Sequence, residues 1–285
     1  MPKKTINDFF EMKQRKEKIT FLTAYDYPTA TFAHAAGLDM LLVGDSLGMC
    51  VYGYPGTIPV VMDQMIYHAE AVRRGAPDTF VIGDMPFMSY QSSIEKAVEN
   101  AGRFLKEAGC DAIKLEGGKR IVPQIRAIVD AGIVVMGHIG LTPQSSGQQG
   151  GHKAQGRTFE SAKLIVEDAV AVEEAGAHMI LLEAIPPEVA AVITGRLRIP
   201  TLSIGAGIDC DGQLLIVSDL IGQFQAFTPK FVKKYCSVAD VVVEAMKQYV
   251  ADVRSVRFPE PKHTYSMLKE EAPLFQEYAA TLRRS

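Results

Sequence analysis

The stretch that decides the fold is MLLVGDS, residues 40–46. Four consecutive apolar residues run into a glycine and then an aspartate, and a run bounded in this way is too short for a helix. It predicts a strand buried on both faces, as the strands of parallel sheets are. The glycine lets the chain leave the sheet, and Asp45 then stands at the carboxyl end of the strand.

The same pattern recurs along the chain. Related segments are FVIGD at 80–84, AIKLE at 112–116, VVMGH at 134–138 and MILLE at 179–183. Each is a short apolar run that ends in a charged or titratable residue. Because the carboxyl ends of parallel strands meet at one edge of a sheet or barrel, these side chains are expected to share a site.

The order of the elements predicts a (β/α)8 TIM barrel, an α/β fold. The predicted strands are 19–23, 40–43, 80–83, 111–115, 133–137, 178–182, 200–207 and 214–219. The predicted helices are 28–36, 63–74, 92–108, 119–131, 159–175, 187–196 and 238–253. Short buried strands that alternate with helices indicate a parallel sheet, and eight of them favour a closed barrel. No GxGxxG follows the first strand and no Walker loop occurs, which argues against nucleotide-binding folds.

We expect one domain over 1–285, with the barrel core at about 18–255. An amphipathic segment at 5–17 predicts an N-terminal helix that caps one end of the barrel. The segment 257–285 predicts a C-terminal helical appendage.

The composition limits the partners and the compartment. A formal net charge of −3 on 285 residues gives no reason to expect nucleic acid or an anionic membrane surface. No run of about 18 apolar residues occurs, so no membrane span is predicted. The first residues, MPKKTINDFFEMKQRKEK, contain no apolar secretory core. The four widely spaced cysteines predict reduced thiols, and we expect a cytoplasmic protein.

Two loops follow the predicted strands. The segment 47–59 is rich in glycine and proline but keeps several large apolar residues, a combination typical of a substrate loop or lid. A polar loop covers 144–157.

Three carboxylates, those of Asp45, Asp84 and Glu116, end neighbouring strands and predict a metal site. Carboxylates brought together repel one another unless a proton or a cation intervenes, and a set of oxygen ligands suits Mg²⁺. For any one of them alone, a helix cap or an arginine partner explains the residue as well. For Asp45 and Asp84 together, with matching contexts, we favour a metal.

Lys114, His138 and Glu183 extend the expected site. Lys114 is two residues before Glu116 on one strand, so both point to the same side, and a buried lysine needs an anion, either the carboxylates or a substrate. Glu183 follows apolar residues, and desolvation would make it a plausible general base; a supporting role near the metal is the alternative. His138 is as consistent with binding substrate as with a packed, hydrogen-bonded histidine. A divalent ion that chelates an α-keto acid would acidify the adjacent C–H and hold the enolate.

The chain resembles the ketopantoate hydroxymethyltransferase family over residues 3–255. The matching motifs, in order, are TAYD at 23–26, VGDSLG at 43–48, GYPGT at 53–57, GDMPF at 83–87, KLEGG at 114–118, GHIGLTPQ at 137–144 and SIGAG at 203–207. The resemblance implies a barrel similar to those of the phosphoenolpyruvate/pyruvate enzymes. It also implies transfer of a hydroxymethyl group from 5,10-methylenetetrahydrofolate to 3-methyl-2-oxobutanoate, giving 2-dehydropantoate on the route to pantothenate and coenzyme A.

The resemblance also implies roles for the residues. It assigns Mg²⁺ to Asp45, Asp84 and Glu116, and the catalytic base to Glu183. The substrate-binding residues that we expect are Asp45, Ser46, Asp84, Lys114 and His138. The partners implied are small molecules and other copies of the chain in a homo-oligomer, commonly a decamer.

Two other readings stay open. The chain could be a C–C or C–P lyase on the same barrel, acting on a 2-oxo acid; such lyases are expected to carry a Lys-Lys-Cys-Gly-His type loop, which this sequence lacks. Cys50 has no basic neighbours to lower its pKa. The chain could instead be a non-catalytic barrel that binds a keto acid or folate, against which the full set of ligands and the glutamate argue.

Overall fold

Eight parallel strands form a closed barrel in the computed structural model, which describes residues 3–282. Each strand pairs with the next along the chain, and β8 pairs with β1. The strands are β1 (Ile19–Thr23), β2 (Met40–Val43), β3 (Phe80–Asp84), β4 (Ala112–Glu116), β5 (Val135–Gly140), β6 (Met179–Glu183), β7 (Thr201–Ile204) and β8 (Gly212–Leu215). The predicted TIM barrel is therefore confirmed.

Helices lie between the strands. They are α1 (Ile6–Arg15), α2 (Tyr27–Ala35), α3 (Leu47–Cys50), α4 (Met62–Gly75), α5 (Ile94–Lys106), α6 (Val122–Asp130), α7 (Phe159–Glu174), α8 (Pro187–Arg196), α9 (Val217–Leu220), α10 (Val238–Arg254) and α11 (Ala272–Thr281). Short 3₁₀ turns cover Lys119–Ile121, Pro143–Ser145 and Pro261–His263.

The strands alternate between a layer beneath the helices and the barrel interior. On β3, Phe80 and Ile82 belong to the interior cluster, whereas Val81 packs in the helix-facing core. Because side chains two residues apart share a face, Asp84 continues the inward row of β3. This alternation sends the last inward residue of each charged strand to the carboxyl-end mouth of the barrel.

Helix α1 contributes to the core of the barrel. Its Phe9 and Met12 are fully or almost fully buried and belong to the interior cluster. Phe9 meets Phe80 of β3 edge to face, with ring centroids 5.1 Å apart. Since Phe80 begins β3, the helix covers the amino-terminal end of the barrel, as predicted, and leaves the opposite end for the site.

The structure corrects one predicted strand end and shows the role of a second aspartate near a strand end. The predicted eighth strand, 214–219, is wrong in its second half, because β8 ends at Leu215 and Val217–Leu220 is a helical turn. Asp219 therefore stands on α9. Asp26 does not point to the site; it begins α2, and its Oδ1 accepts a hydrogen bond from the Thr29 amide at 2.7 Å. Asp26 therefore caps a helix, and Asp219 lies within one; neither ends a strand.

The chain divides into two compact units at residues 236 and 237. The first contains the barrel. The second contains α10 and α11, so α10, which the prediction had included in the core, is grouped with the C-terminal segment. Within residues 3–282, no helix is long and apolar enough to cross a membrane.

Candidate active site

The register of the strands brings the predicted charged residues together. Asp84 lies beside Lys114 across β3 and β4, and Glu116 lies beside His138 across β4 and β5. Glu183 ends β6, the next strand. Asp45 follows β2, and its backbone amide donates to Asp84 Oδ2 at 3.0 Å. The five consecutive strands β2 to β6 thus supply one continuous arc of titratable groups.

Lys114 is the cation of this arc. Its Nζ lies 2.8 Å from Asp84 Oδ1 and 3.6 Å from Glu116 Oε1. It also lies 3.2 Å from His138 Nδ1. Burial lowers the pKa of Lys114, but Asp84, Glu116 and Asp45 raise it by more, so the ammonium stays charged. The predicted pairing of this buried lysine with carboxylates is present.

Negative charge is nevertheless in excess. Burial, together with the charges of Asp84 and Glu116, raises the pKa of Asp45 well above its ordinary value. Burial also raises the pKa of Asp84, although Lys114 opposes the effect. Burial raises the pKa of Glu116 too, but Lys114 and His138 more than offset this and hold it below the ordinary value. Three buried carboxylates therefore share one permanent cation, and Asp45 is the least compensated of them.

His138 connects Glu116 to Glu183. Its Nδ1 lies 3.5 Å from Glu116 Oε1, and its Nε2 lies 3.1 Å from Glu183 Oε2. Burial and Lys114 lower the pKa of His138, and the two carboxylates raise it by more, to about 9. Glu183 keeps 14% of its side chain exposed, toward the cavity. The imidazole thus lies between the two carboxylates, in charge contact with the glutamate that the sequence predicts as the base.

Gln144 and Tyr90 are site residues to which we assigned no role from the sequence. The Gln144 side-chain amide donates to Asp45 Oδ2 and to the Met85 carbonyl, both at 2.9 Å, and its backbone amide donates to Glu116 Oε2 at 3.0 Å. The Tyr90 hydroxyl donates to Gln144 Oε1 at 2.8 Å. Neutral residues in loops follow no strand-end pattern, so the sequence did not mark either residue by position. Gln144 alone had a sequence feature, its place at the end of the GHIGLTPQ motif.

Ser46 also reaches the site. Its Oγ lies 2.8 Å from the hydroxyl of Tyr25, which is buried just beyond β1. Both Ser46 and Asp45 line the same cavity as Lys114. All seven residues predicted to form the site therefore line one cavity: Asp45, Ser46, Asp84, Lys114, Glu116, His138 and Glu183.

A Mg²⁺ ion fits the oxygen donors at this end of the barrel. In the described chain, no three His, Cys, Asp or Glu side chains are placed together as a complete metal site. Asp45 and Asp84 both face the cavity, however, and Mg²⁺ is commonly held by one or two carboxylates, with waters and substrate completing its shell. The excess negative charge at Asp45 is what such a cation would balance. Both oxygens of Asp84 and both oxygens of Glu116 contact protein groups, so the assignment of Asp45, Asp84 and Glu116 to the ion stays a prediction.

The cavity has a volume of about 920 Å³ and opens at the mouth of the barrel. The two predicted loops contribute to its wall: Met49, Cys50 and Thr57 come from the first, and Lys153 and Arg157 come from the second. Among the residues described, the strands β1, β7 and β8 supply only neutral side chains to this wall, those of Thr23, Ile204 and Leu214. The charged half of the mouth is therefore built by β2 to β6.

Comparison with known proteins decides the family. The family model described as ketopantoate hydroxymethyltransferase matches residues 3–261. The chain belongs to this family. A relative from Alkaliphilus metalliredigens (strain QYMF), named 3-methyl-2-oxobutanoate hydroxymethyltransferase, is 60% identical over 97% of this chain and 99% of its own length. A relative of the same name from Geobacillus sp. (strain WCH70) is 52% identical over 94% and 96%. The resemblance seen in the motifs is confirmed.

Solved structures place this ketopantoate hydroxymethyltransferase family member among known barrels. A phosphonopyruvate hydrolase, crystallised with oxalate and Mg²⁺, has a TM-score of 0.60 at 14% identity, covering 98% of this chain and 97% of that one. A 2,3-dimethylmalate lyase of the PEP mutase/isocitrate lyase superfamily has a TM-score of 0.57 at 19% identity, covering 99% and 95%. At such identities the likeness concerns the fold, and it confirms the expected type of barrel.

Proposed function

We propose that this chain transfers a hydroxymethyl group from 5,10-methylenetetrahydrofolate to 3-methyl-2-oxobutanoate, giving 2-dehydropantoate for pantothenate and coenzyme A biosynthesis. The relatives at 50–60% identity carry the name of this activity. The observation that carries the proposal in the site is Glu183: an accessible carboxylate, 3.1 Å from His138, that faces the same cavity as Asp45 and Asp84. Removal of the α-proton from a keto acid needs a base and a cation in the same cavity, and Asp45 and Asp84 are the carboxylates that could bind this cation.

In the proposed reaction, each residue of the site has a separate role. Glu183 accepts the hydrogen from C3 of the keto acid, and His138 holds the carboxylate in position. Water hydrolyses the N5–CH2–N10 bridge of the folate: both carbon–nitrogen bonds break, the two nitrogens take the two protons of the water, and the one-carbon unit keeps its oxygen as formaldehyde. The enolate carbon then bonds to the carbon of this aldehyde, and the aldehyde oxygen takes the proton from Glu183 and becomes the hydroxyl group. Lys114 acts to lower the pKa of the carboxylates around it and limits the negative charge that an anionic substrate meets. Ser46 offers a hydroxyl to the substrate carboxylate.

We propose that Asp45 and Asp84 hold Mg²⁺ and that Glu116 supports the ion. When bound, the ion polarises the keto group and stabilises negative charge on its oxygen. The charge of the substrate supports this assignment, because an anionic keto acid would be repelled by Asp45 and Asp84 without a cation between them.

Hydrogen exchange tests the role of Glu183 separately from folate chemistry. With Mg²⁺ in D₂O and no folate, the wild-type protein should exchange the C3 hydrogen of 3-methyl-2-oxobutanoate for deuterium, followed by proton NMR. Glu183→Gln keeps the shape but accepts no proton, so exchange and transfer should fall together. General-base catalysis contributes about 10²–10⁴-fold, and the loss should be of that size.

Glu188→Gln, an exposed substitution at the start of α8, is the matched control and should behave as wild type. A Glu183→Gln protein that exchanges at the wild-type rate but fails to transfer would remove the base role from Glu183.

The other two readings are not favoured. The family to which the chain belongs is that of the transferase, and its relatives carry the transferase name over nearly their full length. Turnover of 3-methyl-2-oxobutanoate with the folate donor would exclude a non-catalytic barrel. Cleavage of a phosphonopyruvate or isocitrate analogue, without transfer, would instead favour a lyase.

We further propose a homo-oligomer, with a decamer as the expected size, located in the cytoplasm. Large apolar side chains of α10, among them Val241, Met246 and Tyr249, are exposed, and exposed apolar surface is typical of subunit contacts. All four cysteines are free thiols, which suits a reducing compartment. We retain the proposal of a single working domain over 1–285, in which 257–285 is an appendage. Sedimentation velocity on the full chain would measure the assembly, and a monomer would contradict it.

A further inference from the structure

The cavity is larger than the keto acid requires. Cavities of 300–1,000 Å³ hold drug-sized ligands, and this one has about 920 Å³. The keto acid is a small branched molecule, and the residues proposed to act on it lie on the β2 to β6 side. The remaining wall, near β7, β8 and the segment that follows them, has a different chemistry.

Asp219 is the carboxylate of that remaining wall. It begins no helix and ends no strand; it lies within the short α9 that follows β8, and it lines the cavity. Only 5% of the residue is exposed, and its carboxylate forms no hydrogen bond or ion pair with any other described side chain. Burial raises the pKa of Asp219, while Lys234, too far for an ion pair, opposes the effect. A buried carboxylate with no partner is costly unless a ligand supplies donors.

The surface around Asp219 suits a flat ring. Phe224 and Phe227 meet edge to face with centroids 5.3 Å apart, and both line the cavity together with Phe231. Thr57 Oγ1, on the cavity wall, and Ser218 Oγ, on the residue before Asp219, are buried without a hydrogen-bond partner. Aromatic faces with a few unsatisfied polar atoms are the usual lining for a heterocycle.

The outer rim carries positive charge. Three exposed cations line the outer part of the cavity and form no ion pair among residues 3–282; we call them the rim cations, and they are Lys153, Arg157 and Lys230. The cavity therefore offers one buried carboxylate without a partner and three exposed cations without an ion pair. A ligand that fits both carries paired N–H donors at one end and carboxylates at the other.

We propose that Asp219 receives the pteridine head of the one-carbon donor and that the rim cations receive its glutamate tail. This inference rests on the proposed function and deepens it, since it places the second substrate in the cavity. A reduced 2-amino-4-oxopteridine presents an amino group next to a ring N–H. This fork matches the two oxygens of a carboxylate, as a guanidinium does.

Direct binding tests the role of Asp219. Tetrahydrofolate is titrated into the protein under anaerobic conditions, and its affinity is measured by calorimetry. Asp219→Asn replaces one acceptor oxygen by a donor, so we expect affinity to fall about 10- to 100-fold. Exchange of the keto-acid hydrogen in D₂O should stay at the wild-type rate, which also shows that the variant is folded at the site.

Two variants control this experiment. Asp209→Asn changes an exposed aspartate outside the cavity and should bind tetrahydrofolate as the wild type does. Lys234→Met removes the nearby cation and should also leave affinity unchanged, because the head contacts Asp219 itself. Asp219→Ser provides a second loss of the carboxylate and should weaken binding as Asp219→Asn does.

Wild-type affinity for tetrahydrofolate in Asp219→Asn or Asp219→Ser would overturn the inference. A loss of affinity in Lys234→Met as large as that in Asp219→Asn would also overturn it. Failure of the proposed function would look different, since the wild type would then neither exchange the keto-acid hydrogen nor transfer the one-carbon unit. If the wild type transfers the one-carbon unit and Asp219→Asn binds tetrahydrofolate with full affinity, the assignment of Asp219 is wrong, whereas the proposed function stands.

The rim cations are tested by ionic strength and by tail length. A combined change of Lys153, Arg157 and Lys230 to glutamine should remove the gain in affinity that tetrahydrofolate shows when its tail carries several glutamates. It should also flatten the salt dependence of binding. Lys106→Gln, an exposed cation of α5, is the control and should change neither. An unchanged preference for the longer tail in the combined variant would refute this half of the inference.

Discussion

Asp45 receives less compensating charge than the other carboxylates of the site. It accepts a hydrogen bond from Gln144, but its nearest charged neighbours include Asp84 and Glu116. Its ionised form is disfavoured without a counter-ion, because burial and like charges both act against it. With Mg²⁺ held there, as we propose, Asp45 would stabilise the ion-bound protein and destabilise the ion-free one.

Asp45→Asn should separate these two effects. The amide removes the repulsion, so the melting temperature in a chelator should equal or exceed that of the wild type. Bound Mg²⁺ at 100 times its dissociation constant stabilises a protein by about 2.7 kcal/mol, and this gain should disappear in the variant. Thermal unfolding with and without Mg²⁺ measures both, with the exposed Asp78→Asn as control. A full Mg²⁺ shift in Asp45→Asn would contradict the metal assignment.

Gln144 stabilises the site without carrying charge. Its three donated hydrogen bonds tie the loop after β5 to Asp45, Met85 and Glu116. Leu at this position keeps the backbone donor but leaves the two acceptors of the side-chain amide unpaired. Each unpaired buried group costs about 1–3 kcal/mol, so Gln144→Leu should lower the free energy of unfolding by at least about 2 kcal/mol.

Urea unfolding and transfer activity measure this effect. Gln148→Leu changes an exposed glutamine of the same loop and should lower neither by a comparable amount. If Gln144→Leu is as stable as the wild type, water donates the hydrogen bonds that the Gln144 side chain donates in the wild type.

At the scale of elements, β3 depends on a close approach by α5. A Cβ at Gly83 would lie 2.2 Å from the ring of Phe104, so glycine is required there. Overpacking of this kind costs about 1–3 kcal/mol. Gly83→Ala should lower stability by this amount, and it should also lower activity, because Asp84 follows directly.

A second substitution identifies the contact responsible. Phe104→Leu shortens the ring side chain, so Gly83→Ala combined with Phe104→Leu should cost less than the sum of the two single changes. Gly102→Ala, on α5 with open space around it, should instead stabilise by about 0.5–1 kcal/mol. Additive losses in the double variant would show that Phe104 is not the obstacle.

The strand ends were predictable wherever a buried apolar run stopped at a charge. This holds for β3, β4 and β6, where the period of two sends Asp84, Glu116 and Glu183 inward. It failed at β8, because the run from Leu214 to Asp219 continues its apolar pattern through a helical turn. Periodicity cannot separate short strands from short helices.

Gln144 and Tyr90 could not be predicted as site residues for a different reason. They arrive from loops, where no periodic pattern fixes the direction of a side chain. Their roles depend on tertiary hydrogen bonds that join residues 26 to 99 positions apart. The family motif contained Gln144, but a motif alone gives no partner.

At the scale of the whole molecule, the wall of the barrel mouth has a charged part and a largely neutral part. The strands β2 to β6 supply the charged groups, and the wall near β7 and β8 is neutral up to Asp219. Changes at Phe224, Phe227 and Phe231 to leucine should therefore weaken folate binding while keto-acid exchange in D₂O persists. Parallel loss of both activities would show that the two halves are coupled.

Because the barrel is closed, the charged and the neutral parts of its mouth can change independently during evolution. Each βα unit can accumulate substitutions at its own loop, while the hydrogen bonds between strands keep the neighbouring units in place. If the one-carbon donor binds the wall near β7 and β8, as we propose, a lineage could change this donor by substitutions in the last two units and keep the acid–base half. Directed evolution confined to residues 204–231 should then yield an aldol catalyst that takes a free aldehyde in place of folate.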